Sequence, residues 1–328
     1  MELGYARGLE RREIIDQIRE IRDEALARTG GCDVVFAKVD KILAWLRKES
    51  QKPCPIQRQL EREVIRIVID DASQMTEAAL NAIHLSFPNA KIVLIGDIRW
   101  MPPFRCTTDA VVSELRVRSA LDVIIRKNNI PVIELKTVYR ASQSLIEHYN
   151  HVFYGGTLVS GKPASSRCPL ACIMKDTSGC LFVRVNESQA ERETGGTSLQ
   201  NDAEIRALVW VINKLRQAGH DEDDIMVISF YEAQRRLAKN NLPEGYEVLT
   251  VDSAQGREKS IVIVLTTVVK PDATDFFKCP LRTNVAMSRH KEAIIVLGHS
   301  AVLGIEPWSR VLDKKYFNHA AFGSPNAL

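Results

Sequence analysis

Two adjacent carboxylates, Asp70 and Asp71, close the apolar run Val64–Ile69 and open the stretch Ala72–Leu80. Paired acids at a strand end suit a nucleoside triphosphate site. One can hold Mg²⁺ through water while the other orients the attacking water. The same pair also suits a helix start, as an N-cap followed by a first-turn anion. Other apolar runs end in similar chemistry. Ile92–Ile95 leads to Gly96-Asp97, Ile225–Ile228 to Ser229-Phe230-Tyr231, and Val248–Val251 to Asp252-Ser253-Ala254-Gln255-Gly256. Ligands of open parallel sheets sit beyond the carboxyl ends of the strands, so these endings together outline a crevice. Other chemistries find less support. The segment Cys168–Cys180 holds Cys172 but no histidine and no paired C-x₂-C spacing, so it reads as ordinary thiols rather than a zinc site. His84, His148, His151, His290 and His299 lack a nucleophile partner and read as structural.

A sheet must hold these residues in place. Val132–Leu135, Leu181–Val185, Ile261–Leu265 and Ile294–Leu297 join the runs above as predicted strands. They are apolar throughout, as strands covered on both faces are. Helical stretches alternate with them, which makes the chain α/β. Upstream, Ile14, Ile15, Ile18, Ile21 and Ala25, then Val35, Val39, Ile42, Leu43 and Leu46, recur at helical spacing on either side of Gly30-Gly31. Ser160–Ser166 and Gly195–Ser198 read as surface connections. The 328 residues suggest about two domains. A net charge of +3 sets up no strong global field toward nucleic acid or membranes, so any basic groove must be local. With 45% hydrophobic and 26% charged residues, the composition is that of a folded globular protein. The longest apolar stretch, near Ile261–Val269, is too short to span a bilayer, and no membrane partner is expected. Met1–Gly4 begins no signal peptide. Seven scattered cysteines point to a reducing compartment, the cytoplasm or nucleus.

At this point a resemblance appears. Val68-Ile69-Asp70-Asp71-Ala72-Ser73-Gln74 resembles motif II, D-E-A-S-Q, of superfamily 1 helicases of the up-frameshift type, the group of the nonsense-mediated-decay RNA helicase. Gly96–Pro103 resembles motif III, G-D-x-x-Q-L-P-P, and Leu135 with Tyr139-Arg140 resembles the L-x-x-x-Y-R element. Val251–Lys259 is similar to motif V, V-D-S-x-Q-G-R-E-K, and Arg282–Arg289 to motif VI, R-x-N-V-A-x-T-R. Ser198, Asn201 and Glu204, and Tyr231 with Gln234, are weaker echoes. The match runs in family order from about residue 64 to 300. It implies a P-loop NTPase, RecA-like helicase fold, α/β in class. N-terminal helices would span 1–60, a truncated first RecA-like domain with motifs II and III 61–134, and a complete second RecA-like domain 135–328. It implies ATP with Mg²⁺ as cofactor and single-stranded RNA or DNA as partner. Asp70 would help place Mg²⁺, and Asp71 would polarise the attacking water. Arg140 and Arg289 would reach the γ-phosphate as arginine fingers, whose planar forks match phosphate oxygens. Gln255, Gly256 and Glu258 would lie close to nucleotide and ribose, together with Arg282. Arg282 and Arg289 are seven apart, about two helical turns, so one helix face could present both. Thr250 and Ser253 would contact a nucleic-acid backbone.

The pattern also departs from the family. No Gly-Lys dipeptide occurs in Met1–Glu63, where a P-loop should cradle the phosphates. Gly156–Pro163 has the P-loop span but lies downstream of motif II, with Pro163 in place of the metal-binding hydroxyl, and reads as a loop. Asp71 is one methylene shorter than the family glutamate, and a shift of about 1 Å in a reacting group can cost roughly 100-fold. Trp100 stands where motif III has a glutamine, and an indole has a donor but no acceptor. The expectation is a helicase-family protein, ATP-dependent in RNA or DNA unwinding by ancestry, with absent or weak ATPase in this chain. A non-catalytic RNA-binding or partner-binding module, or a fragment of a longer helicase, stays open as an alternative.

Overall fold

The computed structural model describes Lys38, Val39, Ile42 and residues 64–103, 118–127, 130–164, 168–173, 178–193, 195–270 and 274–323. The expected N-terminal helices lie, but for Lys38, Val39 and Ile42, outside the described residues. The chain divides into two compact units. One comprises residues 1–98 and 102–130, the other residues 99–101 and 131–328.

In the first unit, β1 (Arg66–Ile69) and β2 (Lys91–Leu94) pair in parallel. Helix α1 (Glu77–Ser86) starts at Thr76, whose hydroxyl accepts the Ala79 N–H at 3.2 Å, and α2 (Ala120–Lys127) follows. Ile69, Met75, Ile83, Phe87 and Leu121 form its core. The expectation that these strands are covered on both faces fails here. Side chains alternate across a strand, and those that face away from this core, Val68 and Val93, remain 62% and 47% exposed.

In the second unit, β5 (Cys180–Arg184), β8 (Ile225–Ser229), β9 (Glu247–Thr250), β10 (Lys259–Leu265), β11 (His290–Gly298) and β12 (Asn318–Ala321) form one sheet in the order β12-β5-β11-β10-β8-β9. Every pair is parallel. Here the doubly covered pattern holds. Phe182, Ile228, Val262, Val264, Ile294 and Val296 pack with α3 (Gln143–Phe153), α7 (Pro280–Met287) and α8 (Trp308–Val311). Their alternates, Leu181, Val227, Ile263, Ile295 and Leu297, pack with α4 (Asp202–Gln217) and α5 (Glu232–Asn241). A short helix, α6 (Asp275–Lys278), precedes α7. Burying each large aliphatic side chain contributes about 1.5–3 kcal/mol, so the central strands anchor whatever lies at their ends.

Three expectations change. Val132–Leu135 is not a strand. It runs irregularly after Pro131, with Ile133 and Leu135 87% and 81% exposed. The strand begins later, as β3 (Thr137–Ser142), and pairs in parallel with β4 (Val159–Lys162). Gly156–Pro163 and Ser160–Ser166 were expected as loops, but residues 159–162 form β4. Their Val-Ser-Gly-Lys sequence carries no apolar signal, and the strand is built by its neighbours. The Asn150 side chain bonds both the N–H and the C=O of Leu158 at 2.9 Å, and the Ser160 hydroxyl donates to Ala141 O at 2.7 Å. The short pair β6 (Glu191–Arg192) and β7 (Leu199–Gln200) brackets Gly195–Ser198. Among the described residues, no helix is long and apolar enough to cross a membrane.

Candidate active site

In the second unit a cluster of charged residues lies at the amino ends of β10 and β11. Glu258 immediately precedes β10, Arg289 immediately precedes β11, and Arg140 lies on β3. Arg140 Nε donates to Glu258 Oε2 at 2.5 Å, and Lys291 Nζ lies 3.1 Å from Glu258 Oε1. Burial by itself would raise the Glu258 carboxyl, but hydrogen bonds from Arg140 and Lys291 outweigh it and hold the group below the usual carboxylate range. The Arg140 and Glu258 side chains are 24% and 39% exposed, so this pair contributes at most about 1 kcal/mol to stability.

The two arginines converge on one residue. Arg140 Nη1 donates to Ser288 O at 2.7 Å, and Arg289 Nη2 donates to Ser288 Oγ at 2.8 Å. Arg289 is fully buried and also donates from Nε to Val285 O at 3.0 Å, while its Nη1 has no partner. Burial first, and the Arg140 guanidinium second, lower its pKa to about 10, so it remains charged at neutral pH. A buried guanidinium beside another cation, with a free donor and no carboxylate bonded to it, is a costly arrangement for a fold alone. It suits the oxygens of an anion such as phosphate.

The remaining candidates sit elsewhere. Helix α7 ends at Met287, and Ser288 leaves helical geometry at φ −118°. One helix face therefore does not present both Arg282 and Arg289. Arg282 lies in the first turn of α7, and Arg289 lies beyond its last. Arg282 Nε donates to Asp252 Oδ1 at 2.9 Å, and its guanidinium carbon stacks 4.0 Å from the Phe276 ring centroid. Asp252 belongs to the turn after β9, where Thr250 Oγ1 donates to Ser253 Oγ at 3.0 Å. Thr250, Ser253 and Arg282 thus share the carboxyl end of β9, whereas Glu258 leads into the amino end of β10. The chain between runs back along the sheet and buries Val251 and Ala254 on the way. The turn at Gln255-Gly256 needs Gly256 at φ +77°, a conformation that a side chain would strain. Both amide atoms of Gln255 are buried without a partner. In this unit the turn after β9 and the Arg140, Glu258 and Arg289 cluster are therefore two separate places, because a parallel sheet forces each connection to return to the opposite end of the strands.

In the first unit, Asp70 and Asp71 end β1. The Asp71 N–H donates to Asp70 Oδ1 at 2.9 Å, and Asp71 takes left-handed φ 49° and ψ 36° at the start of the turn Ala72–Gln74. Its side chain makes no capping bond, so both carboxylates keep lone pairs for another ligand. Magnesium, which usually keeps several waters and takes one or two carboxylates, fits such a pair. Gly96 is required by packing. A Cβ there would lie 3.0 Å from the backbone nitrogens of Ala72 and Ser73.

The structure also joins the two weak echoes into one buried network. Gln234 Oε1 accepts the Asn201 N–H at 2.7 Å, and Gln234 Nε2 donates to Glu204 Oε2 at 3.1 Å. Glu204 Oε1 accepts from Thr267 N at 2.7 Å and from Thr266 Oγ1 at 3.1 Å. Burial drives the Glu204 pKa up to about 8 despite these donors. Their spacing in the sequence was the only signal for this network. His148 and His290 also prove structural. Their rings stack 5.6 Å apart, and each Nε2 contacts a backbone carbonyl, Met287 O and Leu145 O respectively. Burial first lowers both pKa values, His148 to about 4, so neutral rings tie α3 to α7 and β11.

A family model described as an AAA domain (AAA_12) matches residues 117–301, more than half of the chain. The chain belongs to this family. An uncharacterized ATP-dependent helicase of Caenorhabditis elegans is 32% identical over 263 residues, covering 77% of this chain and 17% of the relative. A regulator of nonsense transcripts 1 homolog of Neurospora crassa is 30% identical over 273 residues, covering 76% of this chain and 24% of the relative. A solved C-terminal domain of a possible DNA helicase from Lactobacillus plantarum aligns with 55% of this chain and 98% of that one, at 11% identity and a TM-score of 0.34. With its motif order, the chain is a superfamily 1 helicase relative of the up-frameshift type, matching the C-terminal part of such proteins. It spans between 17% and 24% of the length of the two relatives named.

Proposed function

We propose that this chain is the carboxyl-terminal motor part of an ATP-dependent nucleic-acid helicase. It supplies the arginine side of the nucleotide site and a single-strand contact surface, and its own ATP hydrolysis is absent or weak. One observation carries this reading: Arg140 and Arg289 meet at Ser288, and the buried Nη1 of Arg289 has no partner. Those donors fit the oxygens of a terminal phosphate. Within the first unit, taken by itself, Asp70 would help hold Mg²⁺ and Asp71 would orient water. Bound ATP with Mg²⁺ would supply the energy of phosphoryl transfer. In this assignment Arg289 and Arg140 neutralise charge that develops on the phosphoryl oxygens, work that elsewhere contributes about 10³–10⁵ in rate. Glu258 sets the position of Arg140. Thr250 and Ser253, at the carboxyl end of β9, would meet the backbone of single-stranded RNA or DNA.

The test uses the purified chain, a single-stranded oligonucleotide and ATP. Binding that weakens linearly in log affinity with log salt, without strand-stimulated hydrolysis, supports the reading. No binding at low salt overturns the single-strand contact surface. Turnover that vanishes in Arg289→Ala overturns the expectation of weak hydrolysis and shows that a triphosphate cradle lies within this chain.

A further inference from the structure

The three residues Arg99–Met101 cluster with the second unit although their sequence neighbours belong to the first. The contacts that hold them there include the following. Asn284 Nδ2 donates to Arg99 O at 3.0 Å. The Arg99 guanidinium lies 5.0 Å from the Tyr154 ring centroid. The Trp100 ring lies 5.1 Å from the Arg289 guanidinium carbon. Trp100 is the residue that replaces the motif III glutamine. Its Nε1 is buried without a partner, as is Arg289 Nη1. The indole therefore stays for what its face provides, not for a hydrogen bond. Beside its hydrogen bonds to Val285 O and Ser288 Oγ, the buried Arg289 guanidinium meets this π face rather than a bonded carboxylate, since Glu258 is engaged by Arg140 and Lys291.

We propose that Trp100 is a gate on Arg289, an autoinhibitory contact that keeps the arginine finger docked and shielded until the indole leaves. The proposal rests on the reading of Arg289 as the phosphate-facing arginine and adds a control on when it is available. A glutamine at this position could hydrogen-bond a phosphate oxygen. An indole that covers the guanidinium occupies the approach instead, so an anion must displace it. A desolvated cation–π contact makes the docked form favoured by about 30-fold, or about 2 kcal/mol.

The test is the rate at which phenylglyoxal, an arginine-selective dicarbonyl, modifies each arginine of the full chain, read by peptide mass spectrometry. Arg257, whose side chain is 65% exposed, serves as the internal reference. Arg289 should react slowly in the wild type and at least about 10-fold faster in Trp100→Ala, as loss of the cation–π contact implies, with Arg257 unchanged. Trp100→Phe, which keeps a ring face, should remain near the wild type. If Trp100→Ala fails to fold, Trp100→Leu replaces it. That variant keeps bulk without a ring and should also expose Arg289. An Arg289 rate unchanged in a folded variant without the ring overturns the gate. A second arm adds inorganic pyrophosphate. It should slow Arg289 modification in Trp100→Ala. No protection there overturns the phosphate reading of the site, whereas the gate is judged on the first comparison alone.

Discussion

Glu204 offers the sharpest quantitative test of the scaffold behind the site. Its carboxyl is fully buried, and burial raises its pKa from 4.5 to about 8. Between those values the folded state binds a proton that the unfolded state has released. Stability therefore falls as pH rises from about 4.5 toward 8, and the loss is complete above the folded value. At about 1.36 kcal/mol per pKa unit the full swing is at most about 5 kcal/mol. Both protonation states can be satisfied. The acid proton can sit on Oε1 and donate to Thr266 Oγ1, which then donates to Leu297 O at 3.2 Å. An amide cannot copy this. In Glu204→Gln the new NH₂ would face Gln234 Nε2, itself a donor, and flipping Gln234 would strand the Asn201 N–H now bonded at 2.7 Å. That mismatch costs about 1–3 kcal/mol. The variant should thus be less stable than the wild type near pH 5 and equal or more stable near pH 8.5. Urea midpoints followed by far-UV circular dichroism at both pH values would measure this. A wild-type stability that does not fall over this range relative to the variant refutes the buried-carboxylate argument.

Two further outcomes follow from the same structure. Arg289→Met removes a buried charge that no carboxylate contacts directly and fills the space with an apolar chain, so the fold should gain about 1–3 kcal/mol in denaturant unfolding; a loss of more than that would mean that the arginine is kept for stability rather than for a ligand. Gly298→Ala should destabilise by about 1–3 kcal/mol, because its Cβ would lie 2.3 Å from Thr266 Oγ1; a thermal-melt midpoint equal to the wild type would show that the Glu204 network yields easily.

The sequence alone determined the class of the fold and the order of the motifs. The apolar runs of β5, β8, β10 and β11 read correctly because both faces of a central parallel strand are covered. Arg140, Glu258 and Arg289 stood out through the helicase motifs that their segments resemble. Tertiary structure decided what pattern cannot carry. It built β4 from Val-Ser-Gly-Lys through the side chains of Asn150 and Ser160, and it left Ile133 and Leu135 exposed although they look like core. It placed Arg282 with Asp252 and Arg289 with Arg140, because Ser288 ends the helix one residue before Arg289. It set Trp100 against Arg289 across a separation of 189 residues that no local periodicity encodes. Local patterns report the period and burial of an element. Which two elements meet depends on the packing of the whole sheet.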